Sequence, residues 1–409
     1  GGLATSIFVI GWATGGMIFG SLGDRLGRAK MLAITVMLYS IATGLSALST
    51  GFWDFAAYRF LTGLGVGGVF GLAVALVADT LPGHIRPRAL GVLQSFSAVG
   101  NVMAAGIGVV IALAVTSPGY WKWLFVIGAA PALLTAVIQM RMHEPEKWVA
   151  ARDKAAAEGR RAGSYRDLFG HPTWRKHALL GMLLSCAGVI GLWGIGVFSN
   201  DMVGDIIAGS LKAKGVAAAE IAQKKQFWTA INLGCFNVGA FLGMMAFTRV
   251  TEVLGRRKTF AIFLIGALIS TVFVFQSLNS TTDILWMSPI MGFFQLSVFA
   301  GFSIYLPELF PTSLRSTGTS FCYNVGRYLA ATGPFTLGVL AAKLAKKAEA
   351  SAVAEAGANA AAAVIDAVKA TARIDAFRDA ASWMCLGFLL GLVVLPFLPE
   401  TKGQPLPED

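Results

Sequence analysis

The sequence predicts an all-α membrane protein that is built from two similar halves. The chain of 409 residues is 56% hydrophobic and only 13% charged, and it contains eleven apolar stretches. A helix of about 20 apolar residues crosses the ~30 Å hydrocarbon core of a bilayer. Two groups of loop charges also recur later in the chain at almost the same offset. Repetition of this kind indicates that one helical unit has been duplicated.

The first duplicated group is the glycine-bearing charged loop Gly20–Lys30, which returns as Thr251–Lys258. Four positions keep their chemical character at a constant offset of 228 residues: Asp24 with Glu252, Gly27 with Gly255, Arg28 with Arg256, and Lys30 with Lys258. The match supports duplication of the loop together with the helices that flank it.

The second duplicated group follows the third predicted span. The pattern Asp79-x-x-Pro82-x-x-x-Arg86 returns 229 residues later as Glu308-x-x-Pro311-x-x-x-Arg315. Charges paired at a rim between two halves can hold the rim closed and still release it, because exposed ion pairs contribute only about 0–1 kcal/mol each. We expect Asp79 beside Arg86 and Glu308 beside Arg315. The predicted gating residues are Gly20, Asp24, Arg25, Gly27, Arg28, Asp79, Arg86, Glu252, Gly255, Arg256, Glu308 and Arg315.

In chain order, the predicted spans cover about 2–19, 31–49, 54–78, 89–115, 121–140, 177–199, 226–248, 259–278, 284–306, 316–342 and 379–398. An odd number of spans places the two ends on opposite sides of the membrane. Because the chain begins without methionine, we expect one further helix before Gly1, which would complete two bundles of six. The predicted units are a bundle at 1–143, a linker at 144–176 with one or two amphipathic helices, and a bundle at 177–409. An alanine-rich external insertion, predicted to be helical, lies at about 343–378.

Lysine and arginine predict the orientation. Of the 33 basic residues, 20 fall on the side of the Gly20–Lys30 loop and 11 on the other side. Six of those 11 lie in the long alanine-rich loop, which counts little toward orientation. Short loops rich in Lys and Arg stay in the cytoplasm. The loop side and the C-terminus are therefore predicted to be cytoplasmic, and we expect a bacterial inner-membrane protein.

The sequence argues against several other functions. The net charge of +11 comes without basic patches that alternate with aromatic residues, so it does not indicate nucleic-acid binding. The four cysteines stand singly in apolar segments and share no metal-ligand spacing with the four histidines. Reactive motifs such as His-Glu-x-x-His, Gly-x-Ser-x-Gly and paired intramembrane carboxylates are absent. We therefore expect no enzyme, no metal and no cofactor, and we expect a monomer.

Glycines in the spans follow a spacing that favours helix packing. Gly63, Gly67 and Gly71 share one helix face, as do Gly100, Ala104 and Gly108 in the next span. Small residues four apart let helices approach closely in lipid. The run of glycines after residue 62 follows no strand, so it does not indicate a phosphate-binding loop.

Four polar residues lie at the same predicted depth in four spans. At 1.5 Å per residue, Arg327, Gln295 and Asn237 lie about 18 Å, and Asn101 about 20 Å, from charged helix ends on one or the other side. Secondary transporters bind their substrates near this midplane. These residues are candidate substrate ligands, although the amides could equally form hydrogen bonds between helices.

Arg327 is the most informative of the four. An arginine at the midplane is costly and normally marks a pathway or a pair. Three interpretations remain open: it binds an anionic substrate, it pairs with an acidic residue of the preceding helix, or it bonds to backbone carbonyls. A guanidinium binds a carboxylate through two parallel hydrogen bonds, which favours an organic acid as substrate.

The loop motif G-x-L-G-D-R-x-G-R at Gly20–Arg28 resembles the signature loop of the major facilitator superfamily. Arg59-x-x-x-Gly63-x-Gly65 resembles its fourth-helix motif, and the Pro145-Glu146 and Pro399–Gly403 segments are similar to the ends of the two halves in sugar porters. The resemblance covers nearly the whole chain. It implies two six-helix bundles that rock around a central site, commonly with proton symport, and it makes Gly1–Phe19 the second helix of the family.

The same resemblance leaves the substrate open. The stretch Asn324-Val-Gly-Arg327 departs from the Asn-Trp that sugar porters have in this helix, and the paired glutamines of their seventh helix are absent. Phe310–Arg327 is more similar to proton symporters of organic acids and related metabolites. Gln94, however, resembles a fifth-helix glutamine of sugar porters. Arg59 either serves gating or proton coupling, as the resemblance implies, or extends outward to water.

We therefore expect a proton-coupled transporter of a small organic anion, with Arg327, Asn324, Gln295, Asn237, Asn101 and Gln94 as substrate ligands and Arg59 in proton coupling. The proton-carrying carboxylate is expected in the preceding helix. A sugar or polyol symporter is the alternative within the class. A receptor or sensor with a transporter fold is the alternative outside it, because a fold does not fix an activity. The expected partners are the substrate, protons and membrane lipids.

Overall fold

A computed structural model of the chain describes residues 2–114, 120–195, 199–213, 215–330, 333–356 and 362–407. Within these ranges all regular structure is helical. The helices are α1 Gly2–Leu26, α2 Arg28–Ser46, α3 Phe52–Thr80, α4 Arg86–Ala114, α5 Tyr120–Gly128, α6 Ala132–Arg141, α7 Glu146–Ala157, α8 Tyr165–Gly170, α9 Pro172–Val189, α10 Ser199–Ala213, α11 Ala218–Leu254, α12 Arg256–Ser277, α13 Thr281–Tyr305, α14 Arg315–Ala330, α15 Gly333–Ala356, α16 Ala362–Met384 and α17 Gly387–Val394. A π-helical turn, Ile190–Ile195, continues α9, and short 3-10 turns cover Leu306–Leu309, Thr312–Leu314 and Leu395–Phe397.

The described helices confirm a membrane protein. Nine helical segments among the described residues are long and apolar enough to cross a bilayer. The span predicted at 121–140 is divided into α5 and α6, because Pro131 at the junction has no backbone N–H to continue the helix. The span predicted at 316–342 is divided between α14 and α15, and residues 331–332 lie outside the described ranges.

Two features of the segment between α9 and α12 differ from the sequence prediction. Residues Ser199–Ala213 form the helix α10, where no element was expected, and α11 begins at Ala218 instead of near residue 226. Both regions are too polar to be recognised as membrane spans, although they contain residues that favour helices. A search for apolar runs therefore misses helical structure outside the lipid.

The described residues of the alanine-rich segment, up to Ala356 and again from Ala362, are helical. They extend α15 and α16, which pack against each other as a hairpin, and α16 also contacts α10 and α12. Arg378 Nη2 of α16 donates to the carbonyl oxygen of Leu278 at 2.7 Å and to Asn279 Oδ1 at 2.6 Å. The base of the hairpin is therefore fixed to the end of α12 opposite Arg256.

The helices form two bundles that meet along two equivalent seams. In the first bundle α1 and α2 pack on α3, and in the second α11 and α12 pack on α13. The principal contacts between the bundles join α1 to α14 and α4 to α11. In the duplicated unit α11 is the counterpart of α1, and α14 is the counterpart of α4. Each seam therefore pairs one helix with the counterpart of the other helix in the opposite bundle. A pseudo-twofold axis between the two copies produces this arrangement.

Glycine packing is confirmed on α3, whereas Gly100 and Gly108 of α4 have no partner helix among the described residues. A Cβ atom at Gly63 would lie 2.1 Å from the carbonyl oxygen of Phe8, and one at Gly67 2.0 Å from that of Trp12. These glycines let α3 approach α1 closely. No described atom lies within 4 Å of a Cβ atom built on Gly100 or Gly108, so these two glycines make no close contact with another described helix.

Candidate functional site

The two signature loops begin their second helices in the same way. Gly27 and Gly255 precede α2 and α12 with φ of 116° and 87°, a conformation that only glycine adopts without strain. Neither glycine supplies a side-chain cap. In the first loop Glu144, from the segment between α6 and α7, caps α2: its Oε2 accepts from the backbone N–H of Arg28 at 2.8 Å and its Oε1 from that of Lys30 at 3.1 Å.

Glu400 caps the second loop in the same manner. Its carboxylate accepts from the backbone N–H groups of Arg256 at 2.8 Å and Arg257 at 3.1 Å. Burial raises the pKa of Glu400, but the backbone N–H groups of Arg256, Lys402 and Arg257 outweigh this and hold the pKa below its usual value. Sequence comparison missed this pair: Glu144, not Glu146, is the equivalent of Glu400.

A buried ion network joins the two bundles on the side of the linker. Arg28 Nη2 lies 2.9 Å from Asp24 Oδ1, and Arg28 also forms an ion pair with Asp79. Asp79 forms a second ion pair with Arg315, which belongs to the other bundle. All four side chains are fully buried. We refer to Asp24, Arg28, Asp79 and Arg315 as the rim network.

Asp24 also binds the other bundle directly. Its carboxylate accepts hydrogen bonds from the backbone N–H groups of Ser316 at 3.2 Å and Thr317 at 2.8 Å, and from Thr317 Oγ1 at 2.8 Å. These groups form the first turn of α14, where free N–H groups and the helix dipole favour a negative charge. The acidic residue of the signature loop therefore joins the bundles as well as stabilising its own loop.

The second bundle repeats part of this arrangement. Arg256 donates to both oxygens of Glu308, at 2.8 and 3.1 Å, as Arg28 pairs with Asp79. Glu252 instead accepts three hydrogen bonds, at 2.9–3.1 Å, from the exposed Arg88 of the first bundle. The two seams therefore carry ion pairs of very different burial.

The acidic and basic partners differ from those that the sequence predicted. Asp79 pairs with Arg28 and Arg315 and not with Arg86, and Glu308 pairs with Arg256 and not with Arg315. Arg86 is buried, donates to the carbonyl oxygen of Leu81 at 3.4 Å, and is influenced by the charge of Glu308 across the seam. The reason is the pseudo-twofold axis, which places each of these arginines opposite the other bundle's acid.

The linker contacts both bundles beside the rim network. Trp148 Nε1 donates to the carbonyl oxygen of Asp24 at 3.0 Å, and Ser21 Oγ donates to that of Gly163 at 2.6 Å. Gly163 N donates to the carbonyl oxygen of Ser313 in the second bundle at 2.8 Å. Nearby, a Cβ atom at Gly20 would lie 2.4 Å from Cβ of Ser320. The described residues therefore close the molecule on the linker side.

Two of the predicted midplane residues meet at the α4–α11 seam. Asn101 Nδ2 donates to Asn237 Oδ1 at 3.0 Å. Both residues line a cavity of about 480 Å³, to which Ser199, Asn200 and Asn232 also contribute polar groups. Both Ser199 and Asn200 belong to α10, and Asn200 lies outside every predicted span, so the sequence did not indicate it as part of the site. This cavity is the amide-lined space between the bundles.

Arg327 lies at the other seam. Only 2% of it is exposed, and its guanidinium lies 4.4 Å from the ring centroid of Trp12 on α1 and 4.1 Å from that of Tyr323. Nη1 donates to the carbonyl oxygen of Tyr323 at 2.7 Å and to Asn324 Oδ1 at 3.3 Å, while Nε is buried without a hydrogen bond. Within the described ranges, no carboxylate forms an ion pair with this arginine.

The remaining predicted residues are dispersed. Gln295 Nε2 donates to Thr271 Oγ1 at 2.6 Å, between two helices of the second bundle, and Gln94 Nε2 reaches only Ser97 Oγ at 3.4 Å. Asn324 lies in the α1–α14 seam, where a Cβ atom on Gly16 would be 2.1 Å from its Nδ2. Equal depth in the membrane does not make one site, because depth leaves the direction of each side chain open.

Arg59 lies near the opposite end of α3. Its guanidinium is 4.7 Å from the ring centroid of Phe8 and 5.4 Å from that of Phe125. Its role in proton coupling stays a prediction. Among the described residues, no group of three or more His, Cys, Asp or Glu side chains could hold a metal ion.

Two helical bundles that span a membrane, meet at two equivalent seams and are joined at one rim have the architecture of a secondary transporter. A family model described as "Sugar (and other) transporter" matches residues 1–408. The chain belongs to this family of the major facilitator superfamily, and it is a transporter and not an enzyme.

Curated relatives are about equally distant from the chain. A putative metabolite transport protein of Haemophilus influenzae is 28% identical over 83% of this chain and 79% of that protein. The cis,cis-muconate transport protein of Acinetobacter baylyi is 28% identical over 83% of this chain and 78% of that protein. The solved structure of the proton:xylose symporter XylE matches with a TM-score of 0.68 and 20% identity, over 99% of this chain and 87% of that chain. This last likeness concerns the fold.

Proposed function

We propose that this transporter moves a small organic anion bearing a carboxylate, together with protons, by alternating access. The observation that carries the proposal is the environment of Arg327 between Trp12 and Tyr323. A buried guanidinium without a carboxylate partner among the described residues, and with an unbonded Nε, is suited to receive an anion. The relative named for cis,cis-muconate transport is consistent with this class.

The rim network supplies the proposed gate. Opening on the linker side would separate Asp79 from Arg315 and Asp24 from the first turn of α14. Both contacts would reform when the bundles rock back. We propose that this side faces the cytoplasm of a bacterial inner membrane, as the basic residues predict, and that Arg59 takes part in proton coupling.

A sugar or polyol symporter is the second candidate, and the amide-lined cavity favours it. Asn101, Asn200, Asn232 and Asn237 offer donors and acceptors without charge, which suits hydroxyl groups. The two candidates place the substrate at different seams. Substitutions at the two seams therefore distinguish them.

The test measures external pH during substrate addition to proteoliposomes that contain the protein. Carboxylates and hexoses are compared for wild type, Arg327→Ala and Asn237→Ala, with the exposed Arg249→Gln as a control. We expect alkalinisation with a carboxylate, lost in Arg327→Ala and retained in the control. A hexose response that survives Arg327→Ala and is lost in Asn237→Ala would overturn the anion proposal. Binding without uptake of any compound would favour a sensor.

A further inference from the structure

A close aromatic stack joins the two bundles on the linker side of Arg327. The ring of Phe70, from α3, lies 3.6 Å from that of Tyr323, from α14, with an angle of 17° between the ring planes. Phe70 also packs against buried apolar side chains of the second bundle. Tyr323 is itself only 5% exposed. The stack is therefore a buried contact that the bundles must break in order to separate here.

The geometry of this stack is unusual for two neutral rings. Aromatic pairs prefer offset or edge-to-face arrangements with centroids about 4.5–7 Å apart, because the negative faces of the rings repel each other. The other ring contacts of Tyr323 follow this preference: Phe299 and Phe302 lie 6.1 and 6.3 Å away, at interplanar angles of 89° and 69°. The parallel contact with Phe70 therefore needs a further source of stabilisation.

The guanidinium of Arg327 supplies that stabilisation. Its Cζ lies 4.1 Å from the ring centroid of Tyr323, and Nη1 donates to the carbonyl oxygen of the same residue at 2.7 Å. Phe70 already covers one face of the Tyr323 ring, so the guanidinium lies over the other face. A cation in this position attracts the electrons of the ring. The face toward Phe70 becomes less negative, and the two rings can stack in parallel.

The stack lies between Arg327 and the rim network. Phe70 precedes Asp79 by nine residues on α3, and Tyr323 follows Arg315 by eight residues on α14. At 1.5 Å per residue, the stack is about 12–14 Å from the Asp79–Arg315 ion pair. Arg327 follows Tyr323 by one helical turn, on the side away from the rim. The stack therefore closes the space between the bundles at a second level, next to the proposed anion position.

We propose that Phe70 and Tyr323 form an inner gate, which the charge of Arg327 holds closed and a bound carboxylate releases. The release rests on the proposed function, whereas the closure does not. A carboxylate paired with the guanidinium cancels its charge and competes with the carbonyl oxygen of Tyr323 for its N–H groups. Both changes weaken the stack. Substrate at Arg327 thereby favours opening on the linker side, where the rim network is the remaining barrier.

The first test needs no ligand. It measures the ratio of open to closed molecules from the distance between spin labels on cysteines introduced at His84 and Val253, with Cys235 replaced by serine. Phe70→Leu removes the ring and keeps an apolar side chain, and Arg327→Met removes the charge and keeps the length. Each should raise the ratio about threefold or more. The double variant should reach much less than the product of the two factors, because both act through one contact. A ratio equal to that product would overturn the proposal.

Conservative variants separate the stack from general packing. Tyr323→Phe keeps the ring and should respond as wild type, and Arg327→Lys keeps the charge and should open less than Arg327→Met. The control is Phe52→Leu at the opposite end of α3, where the side chain is 42% exposed, and it should leave the ratio unchanged. Equal opening by the lysine and methionine variants would refute the role of the charge.

The second test adds a carboxylate, with benzoate and succinate as probes. Uptake with protons is first measured by external pH in proteoliposomes. A probe that is taken up should raise the open ratio of wild type at least about threefold, and that of Phe70→Leu by a smaller factor. The same factor in both proteins would contradict release of the gate by substrate. Uptake that persists in Arg327→Ala would instead refute the proposed function, while the ligand-free comparison would still decide whether the stack is a gate.

Discussion

Replacing Asp79 by asparagine perturbs the rim network at its centre. The carboxylate of Asp79 forms ion pairs with Arg28 in its own bundle and with Arg315 in the other. Asparagine keeps the size of the side chain and removes the charge. Both guanidinium groups are then left buried without that partner, although Arg28 retains Asp24.

The size of the effect follows from which contact changes on opening. Removing one partner of a buried ion pair costs about 3–5 kcal/mol. Arg28 belongs to the same bundle as Asp79 and remains beside it in the open and the closed state. The part of the cost that comes from Arg28 therefore lowers the stability of the fold but does not change the balance between the two states. We assign about half of this cost, ~2 kcal/mol, to the buried Arg315 that has lost its partner. This part of the cost disappears when the linker side opens, because Arg315 then reaches water. We therefore expect Asp79→Asn to raise the ratio of open to closed molecules about 25-fold.

The assay measures the distance distribution between two spin labels, attached to cysteines introduced at His84 in the first bundle and at Val253 in the second. Cys235 is replaced by serine so that it does not take up label, because it is the one native cysteine that is not buried. The control is Asp54→Asn at the opposite end of α3, where the carboxylate accepts from the backbone N–H of Gly51 at 2.8 Å. It should lower thermal stability by at most about 1 kcal/mol, through a weaker helix cap, and leave the distances unchanged. An Asp79→Asn distribution that matches wild type, in a protein that remains folded, would refute the role of the rim network.

Three further predictions concern the loops around the network. Arg88→Glu places two carboxylates at the exposed pair, and it should open the linker side less than Asp79→Asn does in the same distance measurement. Adding Glu252→Arg should restore the closed state. High salt should remove both effects, because it screens exposed charges. The folded pKa of Glu400 lies below its usual value of 4.5, so its contribution is present above that pH and is lost as pH falls through the folded pKa. The difference in melting temperature between wild type and Glu400→Gln should thus shrink below about pH 4.5, and a constant difference would contradict the capping role. Gly27→Ala should lower the free energy of unfolding by about 1–3 kcal/mol, because alanine is strained at the positive φ of this position. Gly100→Ala, where the added methyl group meets open space, should raise it slightly. Equal melting temperatures of the two variants would argue against strain at Gly27.

Much of the fold could be predicted from the chain because lipid imposes strong rules. Apolar runs that lack charges must be helices, and most of the predicted spans have a matching helix. The duplicated charges of Asp24 and Glu252 predicted the pseudo-symmetry of the two bundles. Structure outside the lipid followed no such rule, and for this reason α10 was missed and the start of α11 was placed too late.

The candidate site was predicted less completely. Asn101 and Asn237 do meet, but Gln295, at equal depth, bonds to Thr271 within the second bundle. Depth follows from the constant rise of a helix, whereas the direction of a side chain depends on rotation and crossing angle. Asn200 entered the cavity from a helix that carried no signal in the sequence.

The sequence by itself determined a membrane protein of two repeated bundles with charged loops at one rim, and the resemblance of its loop motifs to a known family indicated a transporter. The bundles and their charged loops depend on composition, periodicity and repetition, which can be read directly along the chain. Only the tertiary structure decided that Asp79 meets Arg315, that Glu144 and Glu400 cap equivalent helices, and that Arg327 lies against Trp12. Each of these contacts joins residues far apart in the chain. Such partners are set by how the pseudo-twofold axis brings two bundles together, and no local pattern records it.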